Sequence, residues 1–296
     1  MELIRALAAL GECPDARHAR IAASVGLPGA PDPAAYTAFF SLQLYPYACV
    51  YLGAEGMLGG ESRDRAAGYW RALGIVPPAE PDHLTTLLAL YAELRERFAD
   101  ESEPARRSAL DRASAALLWE HLLPWVPLFT QKMHAIGDAF YGAWAELLER
   151  TLLAEARQRE SLALLPLHLR EAPPFVDPRD QGARPFVAAL LAPVRSGFIV
   201  VRDDLARAAH ELGLGLRHGE RRFVLEALFA QERVAVLAWL AAEAAAAAAL
   251  YRTLDGWPAI IATFWDDRAT GSSALLKTLG EAEAEFVLHE EGTART

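Results

Sequence analysis

The sequence predicts an all-α protein, and two observations favour that class. Apolar side chains recur at the three- and four-residue spacing of a helix with one buried face. The clearest stripe consists of Leu84, Leu87, Leu88, Tyr91, Leu94 and Phe98. The only strand-like run is the segment 198–201, which is too short and too isolated to make a sheet. We therefore expect helices along most of the chain.

The same periodicity, with proline and glycine taken as breaks, predicts the helices in order. They cover 33–52 with a break at Tyr45-Pro46, 61–73 ending at Gly74, 84–98, 105–123 ending before Pro124, one long helix over 127–151, a helix capped by Asp203 or Asp204 and ending at Gly213, 219–230, 231–254, and two short helices after Pro258 and Ser273.

Prolines divide these helices into an N-terminal and a C-terminal group. Residues 170–193 carry several prolines among scattered charges, which is typical of a connecting segment. A chain of 296 residues is long enough for one large domain or two small ones. We expect a single helical bundle over 1–155, a proline-rich connection over 156–200, and a C-terminal helical extension over 201–296 packed on the bundle.

The charge balance argues against nucleic acid as a partner. Asp and Glu number 39 against 29 Lys and Arg, so the formal net charge is −10 at pH 7. An acidic surface repels phosphate backbones and anionic lipid headgroups, whereas it attracts a basic peptide. The alternative is that the charge only keeps the protein soluble.

The cysteines and the apolar segments predict a cytoplasmic protein. Neither Cys13 nor Cys49 belongs to a Cys-x-x-Cys pair, so a disulfide framework is not expected. The N-terminal apolar stretch is too short for a signal peptide. The most apolar segment, 234–250, is interrupted by Glu243, so we interpret it as a buried, alanine-rich helix and expect no membrane insertion.

Motifs that would support catalysis or metal binding are incomplete. A di-iron bundle needs paired Glu-x-x-His motifs, and this sequence has a single one, from Glu80 to His83. Zinc-protease, phosphate-loop and serine-nucleophile motifs are absent from the sequence. We therefore predict no catalytic residue, no metal site and no cofactor. A helical prenyl-diphosphate enzyme stays open as an alternative, because Asp266-Asp267 begins a magnesium-binding motif but lacks its third aspartate.

Three short blocks are rich in residues that recognise peptides. They cover 45–51 with its three tyrosines, 81–84 with Pro-Asp-His-Leu, and 120–125 with Glu-His-Leu-Leu-Pro-Trp. Each block also has a structural explanation. Asp82 is a suitable N-cap that would leave His83 exposed in the first helical turn, and the tyrosines and Trp125 can fill a core. His121 taken alone is more typical of a satisfied structural histidine.

Taken in order, the blocks resemble the TorD/DmsD/NarJ family of chaperones over residues 36–155. The resemblance implies an all-helical cytoplasmic protein that binds the twin-arginine signal peptide of a molybdenum-containing oxidoreductase before export. It also implies that the chaperone proofreads export, holding the apo-enzyme until its molybdopterin cofactor is inserted. This sequence has Ala48-Cys49 where the family usually has an acidic residue, and the residues beyond about 190 exceed the usual family domain.

The candidate site follows from what a twin-arginine peptide presents. Two guanidiniums need carboxylates, and the apolar stretch that follows them needs an apolar groove. We expect the carboxylates from Asp82 and Glu120 and the groove from aromatic side chains. The predicted peptide-binding residues are Tyr47, Tyr51, Trp70, Pro81, Asp82, His83, Glu120, His121 and Trp125. The predicted partners are the signal peptide and the apo-oxidoreductase, the protein is expected as a monomer or homodimer, and a helical scaffold for another peptide is the remaining alternative.

Overall fold

The computed structural model describes residues 1–159, 164–254 and 256–293, with side chains described up to 282. The described residues form helices and no strand, apart from an isolated antiparallel bridge between Tyr47 and His83. The prediction of an all-α fold is confirmed.

The chain folds into two compact units. The first comprises Met1–Gly53, Met57–Arg170 and Asp255–Ile261, and the second comprises Ala54–Gly56, Glu171–Leu254 and Ala262–Thr296. The helices of the first are α1 Glu2–Leu10, α2 His18–Ser24, α3 Pro33–Tyr36, the π-helix π1 Thr37–Gln43, α4 Ala48–Leu52, α5 Gly60–Ala72, α6 Leu84–Asp100, α7 Pro104–Ala116, the π-helix π2 Leu117–Leu122, α8 Val126–Ile136, α9 Ala139–Arg157 and α10 Leu167–Arg170. Those that follow are α11 Pro178–Gln181, α12 Ala183–Leu190, α13 Pro193–Ser196, α14 Arg202–Glu211, α15 Arg221–Gln231, α16 Arg233–Thr253 and α17 Ala259–Thr293.

The first unit is organised around α6, whose apolar stripe is buried as the sequence predicts. This helix packs against α1 and α7, and α8 packs against α9. Leu84 and Leu88 are fully buried, and Trp144 of α9 donates its indole N–H to the Leu7 carbonyl oxygen at 3.0 Å. The buried face of α6 and the aromatic side chains of α9 therefore form one core.

The second unit has its core along α16. Val236, Leu240 and Ala244 lie on its buried face, and Ser273 of α17 donates a hydrogen bond to the Ala241 carbonyl oxygen at 2.8 Å. By length and composition α16 could cross a membrane, since its apolar window has a mean hydropathy of 1.8. In the folded protein 44% of that window is buried. A buried helix of a globular core satisfies the same criterion.

Helix boundaries agree with the prediction in several places. The break at Tyr45-Pro46 lies between π1 and α4, and α5 ends next to Gly74. The strand-like run 198–201 forms no strand. The expected connection over 156–200 contains the short helices α10 to α13. The proposed division at 155 and 200 stays a prediction.

Two helix predictions are wrong. The long helix expected over 127–151 is divided into α8 and α9, because Gly137 adopts a left-handed φ of 83° and Asp138 then accepts a hydrogen bond from the Tyr141 amide at 2.8 Å. The two short helices expected after Pro258 and Ser273 form the single helix α17. Serine near a periodic apolar stripe is compatible with a helix interior, so it was a weak signal for a break.

The start of α14 also differs from the prediction. Val201 is the N-cap residue, and Asp204 lies inside the first turn. Its carboxylate accepts a hydrogen bond from the Val201 amide at 2.8 Å. Asp204 therefore stabilises the start of the helix from the third helical position instead of capping it from outside.

Candidate functional site

Asp82 connects the first two sequence blocks. It is 1% exposed, and its carboxylate accepts a hydrogen bond from the Cys49 amide at 3.0 Å. Its backbone carbonyl oxygen accepts a second hydrogen bond, from the Ala48 amide, also at 3.0 Å. These amides open α4, where helical N–H groups have no partner within the helix. Asp82 therefore caps α4 across the fold, and the prediction that it caps its own helix is wrong.

The thiol of Cys49 lies beside this carboxylate. Burial, with a contribution from the neighbouring Asp82 carboxylate, raises the pKa of the thiol to about 12. The Gly59 amide points at the sulfur, with the nitrogen 3.4 Å from Sγ. The thiol is therefore protonated at neutral pH and is part of the packing between α4 and the loop that follows it.

His83 is the N-cap residue of α6. Its Nδ1 atom accepts a hydrogen bond from the Thr85 amide at 3.2 Å and lies 2.8 Å from the Thr85 hydroxyl. The ring is 8% exposed, so the expectation of an exposed first-turn residue is wrong. Burial lowers its pKa, although the carboxylates of Glu80 and Asp82 oppose that effect. The neutral ring that results can accept through Nδ1, as a cap requires.

The exposed carboxylate of Glu80 contacts Tyr47, and Tyr47 in turn contacts His83. The Tyr47 hydroxyl donates to Glu80 Oε1 at 2.7 Å, and the Tyr47 ring meets the His83 ring edge-on with centroids 4.7 Å apart. Trp70 of α5 donates its indole N–H to the Pro81 carbonyl oxygen at 3.1 Å. Tyr47 and Trp70 are half-buried and Glu80 is exposed. We call these three residues the Glu80 surface.

Tyr51 and Trp125 join the first and third blocks inside the core. Their rings stack with centroids 5.0 Å apart and planes 11° apart, and the two residues are 1% and 0% exposed. The Trp125 indole N–H donates to the His121 carbonyl oxygen at 2.8 Å, and the Tyr51 hydroxyl donates to the Tyr45 carbonyl oxygen at 2.9 Å. These two residues therefore pack the core and present no surface to a ligand in this conformation.

The other two residues of the third block differ in exposure. Both lie in π2, where Glu120 is exposed and His121 is 5% exposed. The His121 ring contacts the ring of Tyr69 from α5, with centroids 4.9 Å apart. Burial, with a contribution from the positive charge of Arg65, lowers the pKa of His121 to about 4. Irregular π turns often occur at functional sites.

Helix α5 contacts both the second and the third block. Trp70 was predicted as a site residue of this helix, whereas the contributions of Arg63 and Tyr69 were not. Trp70 and Arg63 donate to backbone carbonyl oxygens just before Asp82, and Tyr69 reaches π2. Glu80 was also missed as a site residue, although its place directly before Pro81 was an available signal.

Comparisons with known proteins match the part of the chain that contains the three blocks. Residues 34–131 match the sequence profile of the family described as Nitrate reductase delta subunit. The chain is also 31% identical over 108 residues to the Chaperone protein TorD of Photobacterium profundum. Residues 34–131 are TorD-like. The resemblance to TorD/DmsD/NarJ chaperones is thereby confirmed for that segment.

The extent of these matches defines what they support. The alignment with TorD covers 35% of this chain and 50% of the relative, so the chain spans half the length of the curated protein it matches. Every predicted peptide-binding residue lies inside the TorD-like segment. The second unit lies outside the family match, apart from its small piece Ala54–Gly56.

Proposed function

We propose that this protein is a cytoplasmic maturation chaperone for a molybdenum-containing oxidoreductase, without a catalytic role or a cofactor of its own. It binds the client's twin-arginine signal peptide and the apo-enzyme, and it proofreads cofactor insertion before export. The observation that carries the proposal is the assembly, within the TorD-like segment, of three separate sequence blocks. The match to TorD supports the same assignment.

The Glu80 surface has the chemistry that a twin-arginine peptide requires. The Glu80 carboxylate is exposed and oriented by the Tyr47 hydroxyl, so it can form charge-assisted hydrogen bonds with a guanidinium. Half-buried Tyr47 and Trp70 offer aromatic faces on which a guanidinium or an apolar side chain can stack. Glu120 supplies a second exposed carboxylate in the proposed site.

Two exposed apolar residues precede the loop glycine that contacts Cys49. Met57 and Leu58 are 67% and 58% exposed, and the next residue, Gly59, is held against Cys49 by its amide contact with the sulfur. Exposed large apolar side chains that adjoin one another are typical of interaction sites. We assign this loop to the apolar stretch that follows the two arginines.

The predicted site residues therefore divide by role in this proposal. The peptide is contacted by Tyr47, Trp70 and Glu120, and also by Glu80. Their supporting residues are Tyr51, Pro81, Asp82, His83, His121 and Trp125, all of which are buried and hold the blocks together.

A binding titration with a synthetic twin-arginine peptide tests the proposal. We expect Glu80→Gln to weaken binding more than tenfold, because a hydrogen bond to a charged group contributes about 1.5–3 kcal/mol. Glu2→Gln is the matched control, since it removes one exposed carboxylate from α1. The proposal fails if Glu80→Gln and Glu120→Gln both bind like the native protein, or if a twin-lysine peptide binds equally well.

The prenyl-diphosphate alternative is not favoured. Asp266 already forms an ion pair with Arg252 at 2.8 Å and accepts a hydrogen bond from the Thr270 hydroxyl at 3.1 Å. Among the described residues no cluster of three or more potential metal ligands occurs. Magnesium-dependent release of diphosphate from a prenyl substrate would favour this alternative over the chaperone.

A further inference from the structure

A second cluster of polar side chains is built partly from α5. It consists of Arg65 and Tyr69 of α5, His121 of π2 and His168 of α10, and we call it the histidine–arginine cluster. Arg65 and Tyr69 are one helical turn apart and so lie on the same face. The Tyr69 and His121 rings are in contact, and the charge of Arg65 is close enough to contribute to a lower pKa of both His121 and His168.

Two polar groups of the cluster lack a counterpart. The Nε2 atom of His168 is buried and has no hydrogen-bond partner. Arg65 donates to the Ser62 hydroxyl at 3.0 Å, and within the described part of the chain no carboxylate lies at ion-pair distance from it. The Tyr69 hydroxyl donates a hydrogen bond to the Ala113 carbonyl oxygen at 2.7 Å, so Tyr69 lines the cluster and its hydroxyl proton is already used. A buried polar atom left unpaired costs about 1–3 kcal/mol whether it donates or accepts, so such an atom usually has a partner. In the tautomer that carries its proton on Nε2, His168 is an unpaired donor.

The electrostatics of the cluster favour an anion. Burial, with contributions from Arg65 and from His121, lowers the pKa of His168 to about 3. The pKa of His121 is about 4, so both rings are neutral at pH 7 and Arg65 carries the positive charge. Burial also lowers the pKa of Arg65, although the carboxylates of Glu61 and Glu120 oppose it. A guanidinium beside two neutral imidazoles offers one charge and several N–H donors.

We propose that the histidine–arginine cluster binds a small oxyanion of the phosphate class. The guanidinium of Arg65 matches two oxygens of such a group with its fork of N–H donors. His168, and His121 in the appropriate tautomer, each donate one further hydrogen bond. This site shares His121 with the residues that support the proposed peptide surface and lies beside Glu120. Its positive charge nevertheless repels the guanidiniums of a signal peptide, so the ligand proposed here is a different one.

A variant of Glu120 distinguishes this proposal from the proposed chaperone function. Its carboxylate acts on the charge of Arg65 from nearby, so it repels an anion bound there. Glu120→Gln should therefore tighten oxyanion binding, whereas it should weaken binding of a twin-arginine peptide. The two effects have opposite signs, so either proposal can fail while the other survives.

Calorimetric titrations of the full chain with inorganic phosphate and pyrophosphate test the site. We expect saturable binding that is weakened more than tenfold by Arg65→Gln and weakened by His168→Gln. Arg71→Gln is the matched control, because Arg71 is an exposed arginine in the last turn of the same helix. Acetate provides the comparison with a carboxylate, and we expect it to bind more weakly than phosphate.

NMR of the histidine side chains keeps the proposal testable if a variant fails to fold. In the native protein phosphate should shift the imidazole nitrogens of His121 and His168 and leave those of exposed His218 unchanged. The proposal is overturned if phosphate and pyrophosphate do not saturate, if these two imidazoles do not shift, or if Arg71→Gln weakens binding as much as Arg65→Gln. Equal binding of acetate overturns the assignment to the phosphate class.

Discussion

Replacing Asp82 by alanine tests how the first two blocks are held together. The substitution removes a carboxylate that is 1% exposed and that accepts a hydrogen bond from the Cys49 amide at 3.0 Å. The backbone bond from the Ala48 amide to the carbonyl oxygen of residue 82 does not need the side chain. The variant therefore loses one of the two hydrogen bonds that Asp82 accepts from the first amides of α4.

The expected loss of stability follows from that geometry. Losing a helix cap costs about 0.5–2 kcal/mol, and leaving a buried donor without a partner costs about 1–3 kcal/mol. These ranges describe the same hydrogen bond, so they are not added. We expect Asp82→Ala to lower the free energy of unfolding by about 2 kcal/mol, and Asp82→Asn by about 1 kcal/mol because the amide oxygen can still accept.

Urea unfolding followed by tryptophan fluorescence measures these differences. Asp64→Ala is the control, since Asp64 is an exposed residue of α5 whose ion pair with Arg63 at 3.6 Å lies at the surface. Such a pair contributes about 0–1 kcal/mol. If Asp82→Ala unfolds at the same urea concentration as Asp64→Ala, the cap from Asp82 to α4 does not stabilise the fold and our reasoning is refuted.

Three further predictions concern the same unit. Trp125→Ala should lower the unfolding free energy by about 3–5 kcal/mol in urea, because it leaves a cavity beside Tyr51; a loss below 1 kcal/mol would contradict the observed stacking. Gly137→Ala should lower the free energy of unfolding by more than about 1 kcal/mol, because the φ of Gly137 is 83°. Gly142→Ala in α9 is the control and should not destabilise the protein, since a Cβ there meets nothing closer than 3.9 Å. Equal effects of the two substitutions on the thermal midpoint would refute this reasoning. Lowering the pH from about 6.5 to 4 should destabilise the unit. The pKa of His121 is about 4 in the folded protein, whereas a histidine in the unfolded chain has a pKa of about 6.5. Between these two values the unfolded chain binds the proton and the folded protein does not, so protonation favours unfolding. His121→Gln should reduce that slope in urea titrations at successive pH values, and an unchanged slope would show that other groups cause it.

The sequence was informative where structure depends on neighbours along the chain. The apolar stripe that starts at Leu84 predicted α6 because helical spacing places such side chains on one face. The break at Tyr45-Pro46 was predictable because proline lacks the amide that a helix needs. The TorD-like segment was recognisable from the order of its blocks, which does not require their contacts to be known.

The contacts within the candidate site could not be predicted in the same way. The hydrogen bond from Cys49 to Asp82 joins residues 33 positions apart, and nothing in either block specifies the other as a partner. The same holds for His121 and His168, which come together only through tertiary packing. A lone glycine inside an apolar stripe is tolerated in helices, so Gly137 was a weak signal for the break between α8 and α9.

The cap from Asp82 also makes Cys49 a chemical reporter of the Glu80 surface. Asp82 and Glu80 lie on one short backbone segment, so we expect a ligand that displaces Glu80 to strain the hydrogen bond between the Asp82 carboxylate and the Cys49 amide. We expect exposed Cys13 to react at once with a thiol reagent and buried Cys49 to react only when that segment opens. The slow phase of labelling therefore measures how often the segment opens. A ligand that holds Glu80 in place lengthens that phase, and one that pulls Glu80 away shortens it.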